Sequence, residues 1–146
     1  MTIWIHAASS LIFAAVLAAS GSAVAQQAYP DLNGAWIGQM QHILRGKTEH
    51  LPGTEETGPV FVEVTWTIVI DRQEGNRFTG TWGRTEGTRR DQLLGVIRAD
   101  RTTIHMVDDD GTFLGILAGP DAMEVCRTEV TAASGNVGCA EFTRRR

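Results

Sequence analysis

The residue pattern predicts an all-β fold: an eight-stranded antiparallel up-and-down β-barrel after a cleaved N-terminal signal peptide, with a β-sandwich as the alternative architecture. Three observations carry this. From about residue 30 onward, apolar residues alternate with period two instead of recurring at helical spacing. The alternating runs are short and regularly punctuated by Gly-, Asp- and Pro-containing turns. When neighbouring runs are folded onto each other, apolar residues fall opposite apolar residues.

The signal peptide comes first in the chain. Met1 to Ala25 carry no Asp, Glu, Lys or Arg, and Leu11 to Ala19 form an unbroken apolar core. Ala23-Val24-Ala25 is a small-x-small cleavage site. The apolar core is far shorter than the roughly 20 residues a spanning helix needs. No cysteine follows it, which argues against a lipid-anchored precursor. Cleavage after Ala25 leaves residues 26–146 as a single β-barrel domain, exported to a periplasmic or secreted location. No later stretch reaches membrane length.

Eight strands are expected, at about 34–43, 60–72, 76–84, 91–98, 102–108, 112–118, 122–129 and 136–144. The second shows the alternation best, with Val62, Val64, Trp66, Ile68 and Ile70 on one face and Glu63, Thr65, Thr67 and Asp71 on the other. A three-residue loop at Gln73-Glu74-Gly75 pairs Ile70 with Phe78, Ile68 with Gly80 and Trp66 with Trp82. A similar loop at Ala99-Asp100-Arg101 pairs Val96 with Ile104 and Leu94 with Met106. Another at Asp109-Asp110-Gly111 pairs Met106 with Leu114 and Ile104 with Ile116. A turn at Pro120-Asp121 pairs Ile116 with Val125 and Ala118 with Met123. In the last hairpin Cys126 falls opposite Cys139, Met123 opposite Phe142 and Arg127 opposite Gly138, with Glu124 facing Glu141 as the one mismatch. Sequential hairpins make a meander, and eight such strands close naturally and remove their edges. Gly38, Gly80, Gly95, Gly115 and Gly138 lie inside strands, where a coiled barrel has use for them.

Cys126 and Cys139 are the only cysteines, an even count that reads as a disulfide in an oxidising compartment. The formal net charge of −4 makes nucleic acid a poor partner. The one basic run is Arg144-Arg145-Arg146.

Asn33-Gly34-Ala35-Trp36, at the start of the first strand, resembles the Gly-x-Trp signature of the calycin superfamily, which includes lipocalins, fatty-acid-binding proteins and avidins. The resemblance implies a barrel whose tryptophan packs across a closed end, beneath an arginine from the last strand. Arg144 has inward parity on the eighth strand, so the expectation is that it covers Trp36 by a cation–π contact.

With that end closed, strand direction places the inward residues near the open mouth. They are Met40, His42, Val62, Val64, Trp66, Trp82, Arg84, Met106, Leu114 and Arg127. Apolar and aromatic walls with two arginines suit a small apolar molecule or an amphipathic anion. The long segment from Leu44 to Pro59 is a candidate lid or protein-contacting loop. These features support three functions: a carrier or sensor of small molecules, a protein-binding module such as an inhibitor of an envelope or extracellular hydrolase, and a small isomerase, cyclase or lyase using His42 or Glu63.

The chain has no Gly-x-Ser-x-Gly, His-Glu-x-x-His or phosphate-binding glycine loop, so no catalytic residue is named and no cofactor is expected. No metal site is expected either: His105 has outward parity, and Asp108-Asp109-Asp110-Gly111 reads as a tight turn lacking calcium-loop spacing.

Overall fold

The computed structural model describes residues 28–48, 50, 51 and 58–146. The expected signal peptide, residues 1–25, lies outside the described residues, as do Glu49 and positions 52–57 of the long loop. Eight strands follow in order: β1 (Gly34–Arg45), β2 (Val60–Glu74), β3 (Arg77–Arg84), β4 (Asp91–Ile97), β5 (Thr103–Val107), β6 (Gly111–Gly119), β7 (Ala122–Val130) and β8 (Gly135–Arg145). Each pairs antiparallel with its sequence neighbour, and β8 pairs with β1 to close the barrel. No helix is present among the described residues, and so none there is long and apolar enough to cross a membrane.

The closing seam matches the sequence expectation. Cys126 pairs with Cys139, Met123 with Phe142, Arg127 with Gly138 and Glu124 with Glu141. The cysteines form a disulfide on the outer face. Trp36 pairs with Arg144 across β1 and β8.

At the closed end Trp36 is wholly buried and donates its indole N–H to the carbonyl of Leu32 at 2.9 Å. The Arg144 guanidinium lies over the indole, 4.5 Å from the ring centroid. Its nitrogens donate to the carbonyls of Asn33 (2.6 Å), Asp31 (2.6 Å) and Pro120 (2.9 Å). One side chain thus ties both ends of the domain to the floor. Gly34 enters β1 at φ 124°, a conformation side chains disfavour, so the glycine of the Gly-x-Trp pair has a backbone reason to be there.

Four hairpins differ from the expected register: three through their turns, and β6–β7 through a bulge between Leu117 and Gly119, so that Val125 pairs with Gly115 instead of Ile116 and Met123 with Leu117 instead of Ala118. Between β2 and β3 the turn is the two residues Gly75-Asn76, flanked by Glu74 opposite Arg77. A bulge between Ile70 and Arg72 then restores the parity. Trp82 therefore faces Ile68, and Trp66 faces Arg84.

Between β4 and β5 the loop takes in Thr102. The Asp100 carboxylate accepts from the N–H groups of Thr102 (3.0 Å) and Thr103 (2.8 Å), and Arg101 takes a left-handed φ of 62°. The added residue turns β4 over: Gly95 pairs with Met106 and Ile97 with Ile104, while Leu94 and Val96 face outward.

Between β5 and β6 the Asp108 carboxylate accepts from the N–H of Gly111 at 2.6 Å, leaving a two-residue turn of Asp109-Asp110. This turns β6 over as well. Phe113 and Gly115 point inward opposite Met106 and Ile104, and Leu114 and Ile116 point outward. A bulge between Leu117 and Gly119 corrects the parity before β7, so Val125 and Met123 face inward as expected.

Candidate functional site

The mouth of the barrel lies at the opposite end from Trp36, where β1 ends at Arg45 and β2 begins at Val60. Thr48, His50 and Leu51, from the segment between them, are the described loop residues at this mouth. Thr48 and Leu51 bond to each other locally, the Leu51 N–H donating to the Thr48 hydroxyl at 3.2 Å. Thr48, His50 and Leu51 are all buried, and Leu51 joins the hydrophobic core.

His50 sits at the centre of the mouth. Its Nδ1 lies 3.3 Å from Asp91 Oδ2, and its Nε2 lies 3.1 Å from Asp110 Oδ1. The imidazole packs against Trp82 at 5.2 Å between centroids and approaches Trp66 edge-on at 6.4 Å. Beneath it the indoles of Trp66 and Trp82 stack, and Phe113 meets Trp82 edge-on at 4.9 Å.

Arg127 is wholly buried below this layer, its guanidinium 4.6 Å from the Trp82 centroid. Nη1 donates to Glu129 Oε2 at 2.7 Å, and Nη2 donates to Asp108 Oδ2 at 3.1 Å and Asp110 Oδ1 at 2.5 Å. Three carboxylates therefore surround one guanidinium, and His50 and Asp91 continue the chain of polar contacts to Arg89, whose Nε donates to Asp91 Oδ1 at 3.0 Å.

A second polar chain crosses the opposite wall. Trp66 Nε1 donates to His42 Nε2 at 2.9 Å, which places the imidazole proton on Nδ1, facing Asn136 Oδ1 at 3.0 Å. Burial lowers the pKa of His42 from its usual value; the bond to Asn136 opposes that shift and the Arg127 charge adds to it. The ring has room because Gly138 stands beside it: a Cβ there would come within 2.5 Å of Nδ1. Three buried N–H groups in this region, Trp82 Nε1, Arg127 Nε and Asn136 Nδ2, have no acceptor.

No protein-family model matches this chain, and no curated protein matches it. Among solved structures it is similar to the S-type phycobiliprotein lyase CPES from Guillardia theta, at 10% identity over 79% of this chain and 89% of that one, with a TM-score of 0.37. So loose a likeness carries no argument. The strand pairing itself does: a closed eight-stranded barrel, with Trp36 under Arg144 at its floor, fits the calycin-like expectation.

Of the residues singled out in the sequence, Met40, His42, Trp66, Trp82, Met106 and Arg127 are buried in the interior. Val62 and Val64 are partly buried against the same core. Leu114 is not among them. It faces solvent at 43% exposure, because β6 is turned over, and Phe113 takes the inward place. Arg84 is also exposed, at the rim where β3 ends. The pair of arginines expected to receive an anion is therefore not assembled: one lies outside and the other is held by carboxylates.

Sequence reasoning missed His50, Asp91, Asp108, Asp110, Glu129 and Asn136. Glu129 and Asn136 were readable from strand parity, two residues beyond Arg127 and Gly138 on their strands. The other four are loop, turn or strand-end residues to which alternation assigns no side. His50, Asp108 and Asp110 offer donor atoms within 4.8 Å of one another. The Arg127 guanidinium already sits on both aspartates, in the place a cation would take. His105 is exposed on the outer face, as its parity required.

Proposed function

We propose that the protein is an exported small-molecule-binding barrel, a carrier or sensor, whose ligand occupies the mouth above Trp66 and Trp82. The observation that supports this best is how the mouth is closed. Trp36 and Arg144, both on strands, cover the floor, whereas His50 and Leu51, from the long segment between β1 and β2, fill the top. Loops of this length are uncommon without a role. Removing two side chains from the mouth would expose an aromatic platform flanked by buried donors that lack acceptors. Ligand sites have this character: mostly apolar walls with a few placed polar groups. Export rests on the N-terminal segment, and the Cys126–Cys139 disulfide is compatible with it.

Native mass spectrometry of the oxidised protein, purified from its own exported fraction, tests the proposal. A small-molecule adduct released on denaturation is the expected result. A clean mass, together with no adduct on a variant lacking residues 48–56, counts against it.

A second reading, a protein-binding module, is favoured by one surface. Leu94, Val96, Val107, Leu114 and Ile116 form an exposed apolar outer face on β4, β5 and β6, around His105. Replacing Leu94 and Leu114 with lysine would abolish partner capture under this reading and leave small-molecule binding unchanged.

A further inference from the structure

The place His50 occupies is bounded by anions. Asp91 approaches one ring nitrogen from the start of β4, and Asp110 approaches the other from the β5–β6 turn. An imidazole with a carboxylate at each nitrogen donates to both only as imidazolium. Asp91 Oδ2 is buried and has no well-aligned hydrogen bond, His50 Nδ1 at 3.3 Å being its ion-pair contact. The remaining walls are the indoles of Trp82 and Trp66, whose faces attract cations.

The charge count points the same way. Asp91, Asp108, Asp110 and Glu129 bring four carboxylates to the cluster, and Arg127 and Arg89 bring two guanidinium groups. Arg89 is half exposed, so its charge counts for less in the interior. His42 on the far wall is held toward the neutral form by burial and adds nothing. With His50 displaced, the mouth is left with surplus negative charge that is costly to keep buried. An anionic ligand would deepen that surplus and a neutral one would leave it.

We infer that the ligand that takes the place of His50 and Leu51 is a small organic cation, a protonated amine on an apolar or aromatic body. Its ammonium replaces the His50 ring between Asp91 and Asp110, and its body lies on the Trp66–Trp82 platform where His50 and Leu51 now pack. This rests on the small-molecule reading above and specifies its ligand class. His50 is then an internal competitor that shares the ligand's two carboxylate partners and its aromatic platform.

The test uses the disulfide-bonded protein, wild type and His50→Ala, with three probes of one shape and different charge: 2-phenylethylamine, 2-phenylethanol and 3-phenylpropanoate. Binding is read by tryptophan fluorescence and titration calorimetry near neutral pH. The amine is expected to bind His50→Ala about tenfold or more tighter than wild type, and about tenfold tighter than the alcohol. Adding Asp91→Asn to His50→Ala should remove that preference. If His50→Ala loses its near-ultraviolet circular dichroism, His50→Gln replaces it with the same expected order of probes. Equal or tighter binding of the alcohol or the propanoate overturns the cationic class but leaves the small-molecule site standing. Failure of all three probes overturns the inference, and the mass-spectrometric adduct then decides the broader reading separately.

Discussion

Trp66 lies almost flat on Trp82, with ring centroids 4.3 Å apart and planes 21° apart, although the two are not opposite each other in the ladder. Trp66 is paired with Arg84 and Trp82 with Ile68, so the stack is a diagonal contact between β2 and β3. The turn at Gly75-Asn76 shifts the ladder, and the bulge after Ile70 returns the two indoles to one face at that offset. A straight hairpin with the expected register would set the two indoles directly across from each other. The offset pair forms the platform on which His50 rests.

His42 links that platform to β8, and its protonation should weaken the fold. Burial lowers its pKa in the native state, whereas in the unfolded chain it titrates near its usual value of about 6.5. Below that pH the unfolded state binds the extra proton first, so this component of stability falls as pH drops from about 6.5 through the native pKa. His42→Gln keeps an acceptor for Trp66 and removes the titration. Urea midpoints measured across this range should slope less in the variant, and an unchanged slope would show that His42 is not responsible.

Arg127 holds Asp108, Asp110 and Glu129 together in the interior. Arg127→Met fills similar space and leaves those carboxylates without their counter-charge. The expected loss is about 3–5 kcal/mol, the range for breaking a buried ion pair by removing one partner. Chemical denaturation checks it, and a loss below about 1 kcal/mol would mean that the cluster is open to water.

Arg144 makes a different demand. Three carbonyls and the face of Trp36 need a planar fork, which lysine lacks. Arg144→Lys keeps the charge and should still cost about 1–3 kcal/mol through lost hydrogen bonds. A lower thermal midpoint with unchanged far-ultraviolet circular dichroism is the expected readout. Equal stability would show that charge alone holds the floor.

The side of β6 that faces the core can be read by mutation. Phe113 is 3% exposed and Leu114 is 43% exposed. Phe113→Ala should cost about 3–5 kcal/mol, while Leu114→Lys should stay within about 0.5 kcal/mol. The reverse order would favour the register in which Leu114 faces Met106.

Strand number and the Cys126–Cys139 pair were legible in the residue string, because they depend on alternation along single strands and on parity carried across one tight hairpin. Closure was expected because eight meandering strands remove their edges by closing, and the Trp36–Arg144 floor was expected from the resemblance carried by Gly34 and Trp36. The facing of β4 and β6 was not legible. A single residue drawn into a turn reverses a whole strand, and the draw came from carboxylates: Asp100 capping Thr102 and Thr103, and Asp108 capping Gly111. The bulge between Leu117 and Gly119 then hid the reversal of β6 from β7.

The sequence by itself determined that this chain is an all-β meander with a disulfide seam, because period-two patterning and turn residues act over a few positions. Only the tertiary structure decided what closes the mouth. His50 meets Asp91 and Asp110 across 41 and 60 residues of chain, and no local preference encodes that meeting. It arises because the closed barrel brings a loop residue, a strand end and a turn to one rim, where His50 lies between two carboxylates.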